Sequence, residues 1–440
     1  MATGRRAAES LDRFLKGVNL IEGRDLKDTS SYDTKLKREV NWEEILERRV
    51  DIPELNPQER IKSFDEVSLG YTPEQAQYEA DRCRQCECRL CMKECMMLKN
   101  FTSCPKELFR DYLEKGYEHM DKMIAFSCNE CSQCTIKCPK DLDLRTNFTE
   151  LKNQYIRDNG NKQVIENLVD SERMECSPQY CTTNQNKKSP KYVFVPGCTI
   201  PAYKPELVDK VYRHLQETLG DEVSAMLRCC GKVTKMIGEE DKFALRNKLA
   251  NDEIERIGAD TIITICPSCF KTFSDTSNKK VISYWDLMRE KIGIPKEAIG
   301  KGKNSPVIFN IHDSCVTRDI VSHHENIRWI LKEMGYKFEE MNNTGKNTRC
   351  CGVGGMVCSS NPELYKEIYT RRANDCTQDS VISYCGSCRG TLEAAGKDSL
   401  HILDLLFRDT YNESTFEKRS YKSEDEMWKN RLATKELLEK

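Results

Sequence analysis

The sequence predicts an α+β protein of several domains, in which a mainly helical cysteine-rich module precedes two duplicated α/β lobes. The first observation behind this fold class is a repeat of five cysteines in the C-terminal half. Corresponding members lie roughly 120 positions apart and in the same order, which indicates an internal duplication. The two copies consist of Cys198, Cys229, Cys230, Cys266 and Cys269, and of Cys315, Cys350, Cys351, Cys385 and Cys388.

The second observation is that short apolar runs precede cysteines of this repeat. Runs with the composition of buried strands start at Tyr192, Thr261, Val307 and Ser380, and each ends at or near a cysteine. In open α/β sheets, ligands bind outside the carboxyl ends of the strands. We therefore expect each lobe to present five thiolates at one edge of its sheet.

The remaining parts of the chain are distinguished by their composition. The cysteine-rich stretch before the lobes is expected to be mainly helical, and Thr72-Pro73 is typical of a helix start. The polar N-terminal extension is either a solvated segment or a docking segment for a partner subunit. The predicted boundaries are 1–57 for this extension, 58–165 for the helical module, 166–190 for a linker, 191–304 and 305–410 for the lobes, and 411–440 for a charged tail.

Composition restricts the class of protein and its compartment. The 440-residue chain has a formal net charge of −2 and no long basic block, so nucleic acid is not an expected partner. It has no apolar run of about 18 residues and no apolar segment of a secretory signal. The 24 cysteines cluster at short spacings. These features favour metal binding in a reducing cytoplasm over a disulfide framework.

One cysteine motif of the helical module has the spacing that holds a cubane [4Fe–4S] cluster. It consists of Cys128, Cys131, Cys134 and Cys138, followed by Pro139. The fourth cysteine of such a motif usually ligates a second cluster, so a partner motif is expected. That partner consists of Cys83, Cys86, Cys91 and Cys95.

The spacing of the partner motif, with Glu79-Ala-Asp-Arg before Cys83, resembles the N-terminal helical ferredoxin domain of the glutamate synthase small subunit. The resemblance covers about residues 58 to 138, and the later motif is more similar to the C subunit of heterodisulfide reductase. We predict two [4Fe–4S] cubanes. One is assigned to Cys83, Cys86, Cys91 and Cys138, and the other to Cys95, Cys128, Cys131 and Cys134. An alternative register through Cys88 lacks its first cysteine, since residue 85 is glutamine, and a zinc ribbon is the other alternative.

Each copy of the repeat offers five soft thiolates, which suit an iron–sulfur cluster or zinc and exceed the four ligands of a simple zinc site. The pattern resembles the cysteine-rich domain of the heterodisulfide reductase catalytic subunit over about residues 190 to 410. Matching context includes Pro196-Gly197-Cys198-Thr199 and His312-Asp313-Ser314-Cys315. The resemblance implies a non-cubane [4Fe–4S] cluster in each copy, with all ten cysteines forming the catalytic site. Zinc in place of one cluster is the alternative.

Together the resemblances imply the C and B subunits of heterodisulfide reductase fused in one chain, as in the D subunit of the membrane-associated form. Such a chain passes electrons through two cubanes to a site that reduces, or forms, a low-molecular-weight disulfide. The alternatives are a non-catalytic electron-transfer subunit of a flavin-dependent dehydrogenase or reductase complex, and a zinc-binding scaffold. Because the sequence holds no flavin or nicotinamide fold, we expect a flavoprotein partner. A haem membrane anchor is the alternative partner, and it would place the chain at a membrane.

A few other residues carry weaker expectations. Gly352, Gly354 and Gly355 lack the spacing of a nucleotide loop and are expected to allow close backbone approach to a cluster. His312 is a donor to cluster sulfur, a proton source for a departing thiolate or a structural residue. His401 is expected to be a packed helix residue. The cysteines expected to be small buried hydrophobes are Cys88, Cys104, Cys176, Cys181, Cys358 and Cys376.

Overall fold

The protein is described from a computed structural model. The residues described are 13, 15–17, 50–62, 65–81, 88–116, 119–140, 142–160, 175–408 and 423–440. Cys83 and Cys86 lie outside them. The chain divides into two compact units, Met1–Trp42 and Glu43–Lys440, and the second contains the helical module and both lobes. Among the described parts of the chain, no helix combines the length and the apolar composition needed to cross a membrane.

Short helices form the module that precedes the lobes, as the sequence predicts. They are α1 (Pro57–Arg60), α2 (Pro73–Asp81), α3 (Leu90–Glu94), α4 (Met96–Phe101), α5 (Pro105–Lys115), α6 (Met123–Phe126), α7 (Gln133–Ile136) and α8 (Leu144–Asn159). The Thr72 hydroxyl accepts a hydrogen bond from the Gln75 N–H at 3.2 Å, which starts α2. The Asp143 carboxylate caps α8 in the same way. The long helix buries Phe148 and Leu151 in the core of the module.

The first lobe contains a five-stranded sheet in the order β1-β3-β2-β4-β5. Its strands are β1 (Thr182–Asn184), β2 (Tyr192–Val195), β3 (Val223–Leu227), β4 (Thr261–Thr264) and β5 (Lys280–Ser283). Its helices are α9 (Thr199–Tyr203), α10 (Pro205–Leu219), α11 (Lys232–Met236), α12 (Glu240–Ile257), α13 (Pro267–Thr276) and α14 (Tyr284–Leu287). Strand β1 is antiparallel to β3, and the other pairs are parallel. The three central strands are buried along their whole length, as expected for parallel strands covered on both faces.

The second lobe contains a parallel sheet in the order β7-β6-β8-β9. Its strands are β6 (Ile308–His312), β7 (Lys337–Glu340), β8 (Ser380–Ser383) and β9 (Asp398–His401). Its helices are α15 (Val321–Met334), α16 (Val357–Ser360), α17 (Pro362–Asn374), α18 (Gly386–Ala394) and α19 (Ile402–Phe407). This strand order repeats β3-β2-β4-β5 of the first lobe. The duplicated cysteine pattern is therefore accompanied by a duplicated sheet.

The carboxyl ends of the central strands lead into the cysteines of the repeat. Strands β2 and β4 end just before Cys198 and Cys266, and β6 and β8 end just before Cys315 and Cys385. Because β2 is parallel to β4, and β6 is parallel to β8, these ends lie at the same edge in each sheet. The expected arrangement of cysteines at one sheet edge is present in both lobes.

The two lobes share one hydrophobic core. Phe194 and Trp285 of the first lobe belong to the same buried cluster as Phe309 and Tyr384 of the second. Each of these side chains is less than 2% exposed. The lobes therefore pack into one body through apolar contact, and their cysteine sites have a fixed relation.

Two buried carboxylates occupy equivalent positions after the last strand of each lobe and reach across the junction. Asp286, after β5, has its Oδ2 at 3.2 Å from His323 Nε2 of the second lobe. Asp404, after β9, accepts hydrogen bonds from Lys204 Nζ at 2.8 Å and from Tyr203 Oη at 3.1 Å in the first lobe. The junction is therefore reciprocal, as in a two-fold interface between like subunits.

Removal of the Asp404 carboxylate is expected to destabilise this junction. The Asp404 side chain is fully buried and that of Lys204 is 5% exposed, so Asp404→Ala leaves a buried ammonium without its partner. We expect the free energy of unfolding to fall by about 3–5 kcal/mol. Urea unfolding of the anaerobically purified protein measures this change. The control is Asp275→Ala, which removes an exposed ion pair with Lys271 and should cost less than about 1 kcal/mol. Equal stability of the two variants would contradict the assigned role of Asp404.

The C-terminal helix α20 (Glu424–Leu438) packs against the start of the first lobe. The rings of Trp428 and Tyr180 lie 4.8 Å apart, and Asn184 Nδ2 donates to the Leu438 carbonyl at 2.6 Å. Arg431 and Thr434 are buried on the inner face of the helix. Part of the segment predicted as a charged tail is thus a component of the folded first lobe, and this brings Arg431 to the cysteines of that lobe.

Candidate metal centres

None of the cysteines that the structure describes is in a disulfide. Most of the cysteines of the predicted motifs gather at three places, which are named here by their members. The cubane site is Cys95, Cys128, Cys131 and Cys134; the first-copy site is Cys198, Cys229, Cys230, Cys266 and Cys269; the second-copy site is Cys315, Cys350, Cys351, Cys385 and Cys388.

The cubane site lies where the α3–α4 junction meets the loop that leads into α7. Glu130 and Ser132 in this loop have φ of 53° and 58°, so the chain turns tightly between the cysteines. The Glu130 N–H donates to Cys128 Sγ at 3.4 Å. Burial raises the pKa of Cys128 to about 12 and also raises the pKa values of Cys95 and Cys134. Thiols in such surroundings become thiolates when a metal replaces the proton.

The other predicted cubane is described only in part. Burial raises the pKa of Cys91 to about 11, and negative charge on Cys88, Cys138 and Cys104 raises it too. Cys91 and Cys138, which were assigned to one cluster, thus lie close enough for their charges to interact. Cys88 and Cys104 lie beside them, so these two thiols belong to the surroundings of this site. The position of Cys88 keeps the alternative register of the motif open.

The second-copy site is built from the loop after β6, the Cys350–Cys351 turn and the start of α18. Cys315 Sγ lies 3.8 Å from Cys350 Sγ, and Cys351 Sγ lies 3.4 Å from Cys388 Sγ. Cys385 forms a side-chain hydrogen bond with Cys388. All five predicted thiols are thus in one group, and only Cys315 among them is more than 9% exposed.

His312 lies beneath the second-copy site and is held in one orientation. Its Nδ1 accepts a hydrogen bond from Arg372 Nε at 3.0 Å, which leaves the proton of the neutral ring on Nε2. Burial lowers the pKa of His312 and favours this neutral form. The ligand atoms of His312, Cys351 and Cys388 lie within 4.8 Å of one another, so the ring lies beside the sulfurs of both cysteines. Among the roles open for His312, this geometry favours a donor to sulfur.

The first-copy site has the same construction without the histidine. Cys229 forms side-chain hydrogen bonds with Cys198 and Cys230, and Cys230 forms one with Cys269. Cys266 is the N-cap of α13 and forms a hydrogen bond with Cys269. The five predicted thiols of this copy are thus also in contact. Val195 occupies the place that corresponds to His312, so the two sites offer different surroundings to a bound cluster.

The two copies face the same junction between the lobes. Helix α9, which follows Cys198, packs against α18, which carries Cys388; helix α13, which carries Cys269, packs against the turn that begins at Cys315. A Cβ on Gly386 would lie 2.8 Å from Thr199 Cγ2, so this contact requires glycine. Each cysteine site therefore adjoins the other lobe in a reciprocal way.

The cubane site is in direct contact with the second-copy site. The thiol of Cys131 interacts with that of Cys350, and this interaction lowers the pKa of Cys131. Both residues line the same cavity. The Arg318 guanidinium spans the contact, because it donates to the carbonyl of Cys131 at 3.1 Å and to that of Thr348 at 2.8 Å. The module is therefore fixed to the second lobe at the cysteines themselves.

Two glycines after Cys351 make this contact possible. A Cβ on Gly354 would overlap the carbonyl oxygen of Asn129, and a Cβ on Gly355 would overlap that of Cys128. The Asn129 amide donates to the carbonyls of Gly352 and Gly354 at 2.6 and 2.8 Å. The sequence predicted close backbone approach to a cluster. The backbone that approaches is that of the cubane loop.

The described thiols fit iron–sulfur clusters by their chemistry and their surroundings. Each copy of the repeat supplies more soft ligands than one zinc ion takes, and most of these thiols are buried. Polar groups without a hydrogen-bond partner lie beside both copies, namely His312 Nε2 at the second and Arg431 Nε at the first. Such donors are suited to cluster sulfur, which accepts hydrogen bonds.

Family comparisons agree with this arrangement. A 4Fe-4S dicluster domain matches residues 82–143, and a cysteine-rich domain matches twice, at 192–274 and 309–393. The fold and the sites thus define an iron–sulfur protein with a dicluster module and a duplicated cysteine-rich domain. In this combination of domains, the chain is similar to proteins named as the D subunit of heterodisulfide reductase.

The curated relatives are distant and longer than the matched region. An uncharacterized iron-sulfur protein of Methanococcus maripaludis is 24% identical over 63% of this chain and 58% of its own length. The B subunit of fumarate reductase (CoM/CoB) from Methanothermobacter marburgensis is 25% identical over 73% and 70%. The D subunit of dihydromethanophenazine:CoB–CoM heterodisulfide reductase from Methanosarcina acetivorans is 26% identical over 47% and 54%. The chain thus spans little more than half of two of these relatives.

Some residues of the sites were not predicted from the sequence. Cys176 was expected to be a packed thiol, but it forms a hydrogen bond with Cys229 of the first-copy site. Glu175, Arg431 and Arg318 lie at the sites without belonging to a motif. Of these four residues, only Cys176 could have been suspected from the sequence, because it is a cysteine close to the start of the first lobe.

Proposed function

We propose that this chain is an iron–sulfur oxidoreductase subunit that passes electrons through two cubanes to the duplicated site, where a low-molecular-weight disulfide is reduced or formed. The meeting of Cys131 and Cys350 in one cavity carries this proposal, because it joins a predicted cubane ligand to a cysteine of the second copy. In this proposal, the second copy is the one that receives electrons from the module.

The proposed ligands are those assigned from the sequence. Cys83, Cys86, Cys91 and Cys138 hold one cubane; Cys95, Cys128, Cys131 and Cys134 hold the other; each copy of the repeat holds one non-cubane cluster through its five cysteines. When bound, these clusters supply one-electron transfer and iron that accepts substrate sulfur. The protein supplies thiolates, exclusion of water and hydrogen bonds to sulfur.

The reciprocal junction supports a site that uses both copies for one substrate. Disulfide reduction takes two electrons and yields two thiols, so two sites that each supply one electron and take up one sulfur can divide the task. The two copies adjoin each other through α9 with α18, and through α13 with the turn at Cys315. His312 Nε2 holds a proton beside Cys351 at the second copy. This orientation supports hydrogen bonding to sulfur that becomes negatively charged.

The alternative function is a non-catalytic electron-transfer subunit of a flavin-dependent dehydrogenase or reductase complex. The match to the B subunit of fumarate reductase (CoM/CoB), which covers 73% of this chain, keeps this alternative in view, because that relative is named as one subunit of a reductase. Retention of all ten repeat cysteines favours the catalytic function instead. In both cases we propose a flavoprotein subunit as a partner, with a membrane anchor as a second partner to be tested.

Metal content tests the proposed cofactors. Two cubanes and two non-cubane clusters give about 16 iron atoms per chain, four in each cluster. We expect this content, with little zinc, in protein purified anaerobically together with its partners. Elemental analysis with flavin determination measures it. Stoichiometric zinc with about half of that iron would refute the two non-cubane clusters and leave the electron-transfer alternative.

A further inference from the structure

The first-copy site meets a short segment that precedes the first lobe. The Cys176 side chain forms a hydrogen bond with the Cys229 thiol. A carboxylate oxygen of Glu175 and the sulfurs of Cys198 and Cys229 lie within 4.8 Å of one another. Neither Glu175 nor Cys176 belongs to the repeat. The segment thus adds a thiol and a carboxylate to one side of the five-cysteine group.

The C-terminal helix holds this segment in place and brings a cation to it. Arg431 Nη2 donates to the Glu175 carbonyl at 3.0 Å, and Lys435 Nζ donates to the Pro178 carbonyl at 2.8 Å. The Arg431 side chain is 1% exposed, and its Nη1 lies 4.0 Å from a carboxylate oxygen of Glu175, but neither Nε nor Nη1 has a hydrogen-bond partner. Burial lowers the pKa of this guanidinium, but negative charge on Glu175, Cys198 and Cys229 outweighs burial and raises it. A buried cation with unused donors indicates that the group it faces is anionic.

The second-copy site has a thiol in the equivalent relation. Cys350 corresponds to Cys229 in the repeat, and the thiol outside the repeat with which it interacts is that of Cys131. Cys131 belongs to the cubane site, so both members of that pair are predicted metal ligands. In each copy, therefore, the first cysteine of the adjacent pair meets a thiol from another part of the chain. At the first copy that thiol comes from the segment which α20 holds.

We propose that Cys176 is a sixth thiolate ligand of the metal site in the first copy. Glu175 and Arg431 lie beside it as the carboxylate and the cation that adjust the charge of the site. The identity of the metal as an iron–sulfur cluster rests on the proposed function, whereas ligation by Cys176 rests on its contact with Cys229. The proposal makes the two copies chemically unequal. In the first copy, the segment with Glu175 and Cys176 covers one side of the site. In the second copy, the helical module covers the corresponding side.

Spectroscopy of iron tests this proposal independently of activity. Cys230→Ala identifies the ⁵⁷Fe Mössbauer component of the first copy by difference from the wild type. We expect Cys176→Ala to remove or shift that same component, and Cys176→Ser to shift it, with the cubane components unchanged. The matched control is Cys181→Ala, since Cys181 is a buried thiol of the same segment that donates to the Glu175 carbonyl at 3.1 Å. This control should keep the wild-type spectrum.

The outcomes separate this inference from the proposed function. A wild-type spectrum in both Cys176 variants overturns the inference, even where the protein reduces disulfides. Zinc in the first copy, lost in Cys176→Ala and kept in Cys181→Ala, supports the ligand and overturns the redox role of that copy. Unchanged cubane components show that each variant is folded. An equal change in the Cys176 and Cys181 variants also overturns the inference, because it would indicate a role of the segment in folding.

Discussion

Cys230→Ala and Cys351→Ala are each expected to abolish reduction of low-molecular-weight disulfides. Each substitution removes one thiolate from one copy and leaves the five thiols of the other copy in place. If both copies act on one disulfide, the loss of either stops the same turnover. We expect a fall of about 10³-fold or more, which is the scale for single members of a catalytic unit. The measurement is reduction of a panel of such disulfides by a small artificial reductant, with iron determined for each variant.

The double variant gives the sharper test of joint action. Residues that act as a unit are strongly non-additive, so Cys230→Ala with Cys351→Ala should be no slower than either single variant. Cys376→Ala is the control, because this half-buried cysteine lies in the second lobe outside the three sites. Suppose that the wild type with all four clusters reduces no disulfide, and that one variant supports its partner enzyme at full rate. The catalytic function would then be wrong, and the electron-transfer function would remain.

Gly355→Ala is expected to disconnect the helical module from the second lobe. Gly355 has φ of 63°, and an added Cβ would overlap the carbonyl of Cys128, so the cubane loop must move away. We expect turnover with the natural electron donor to fall by about 10-fold or more, because electron transfer depends steeply on the separation of the sites. Turnover with a small artificial reductant should fall much less. Cys131→Ala should give the same pattern by removing the thiol that contacts Cys350.

Gly396→Ala is the matched control for backbone strain. Gly396 has φ of 85°, but an added Cβ would have no atom within 4 Å, so the variant carries the strain without the overlap. Its stability should fall by about 1–2 kcal/mol, the cost of a left-handed non-glycine residue that Gly355→Ala also carries, while donor-linked turnover stays close to wild type. Equal loss of both activities in Gly355→Ala, with iron content intact, would contradict a route through this contact.

The sequence alone predicted the features that depend on local pattern. Cubane spacing at Cys128 to Cys138 is a property of one turn of chain, and the repeat of five cysteines is visible because order and spacing recur. The apolar runs that end at Cys198 and Cys315 predicted strands, because strand composition and length are local. Parallel pairing then brought the cysteines of each copy to one sheet edge, as expected.

The tertiary structure decided which sites meet and what surrounds them. The contact of Cys131 with Cys350 joins residues far apart in sequence, and it depends on how the module packs on the second lobe. The sequence around Gly355 did not indicate which group lies against it, because the carbonyl that it accommodates belongs to Cys128 in the helical module. Cys176 and Arg431 reach the first copy from its two flanks. No local periodicity encodes such contacts; they form because the buried faces of distant elements pack together and carry these polar groups with them.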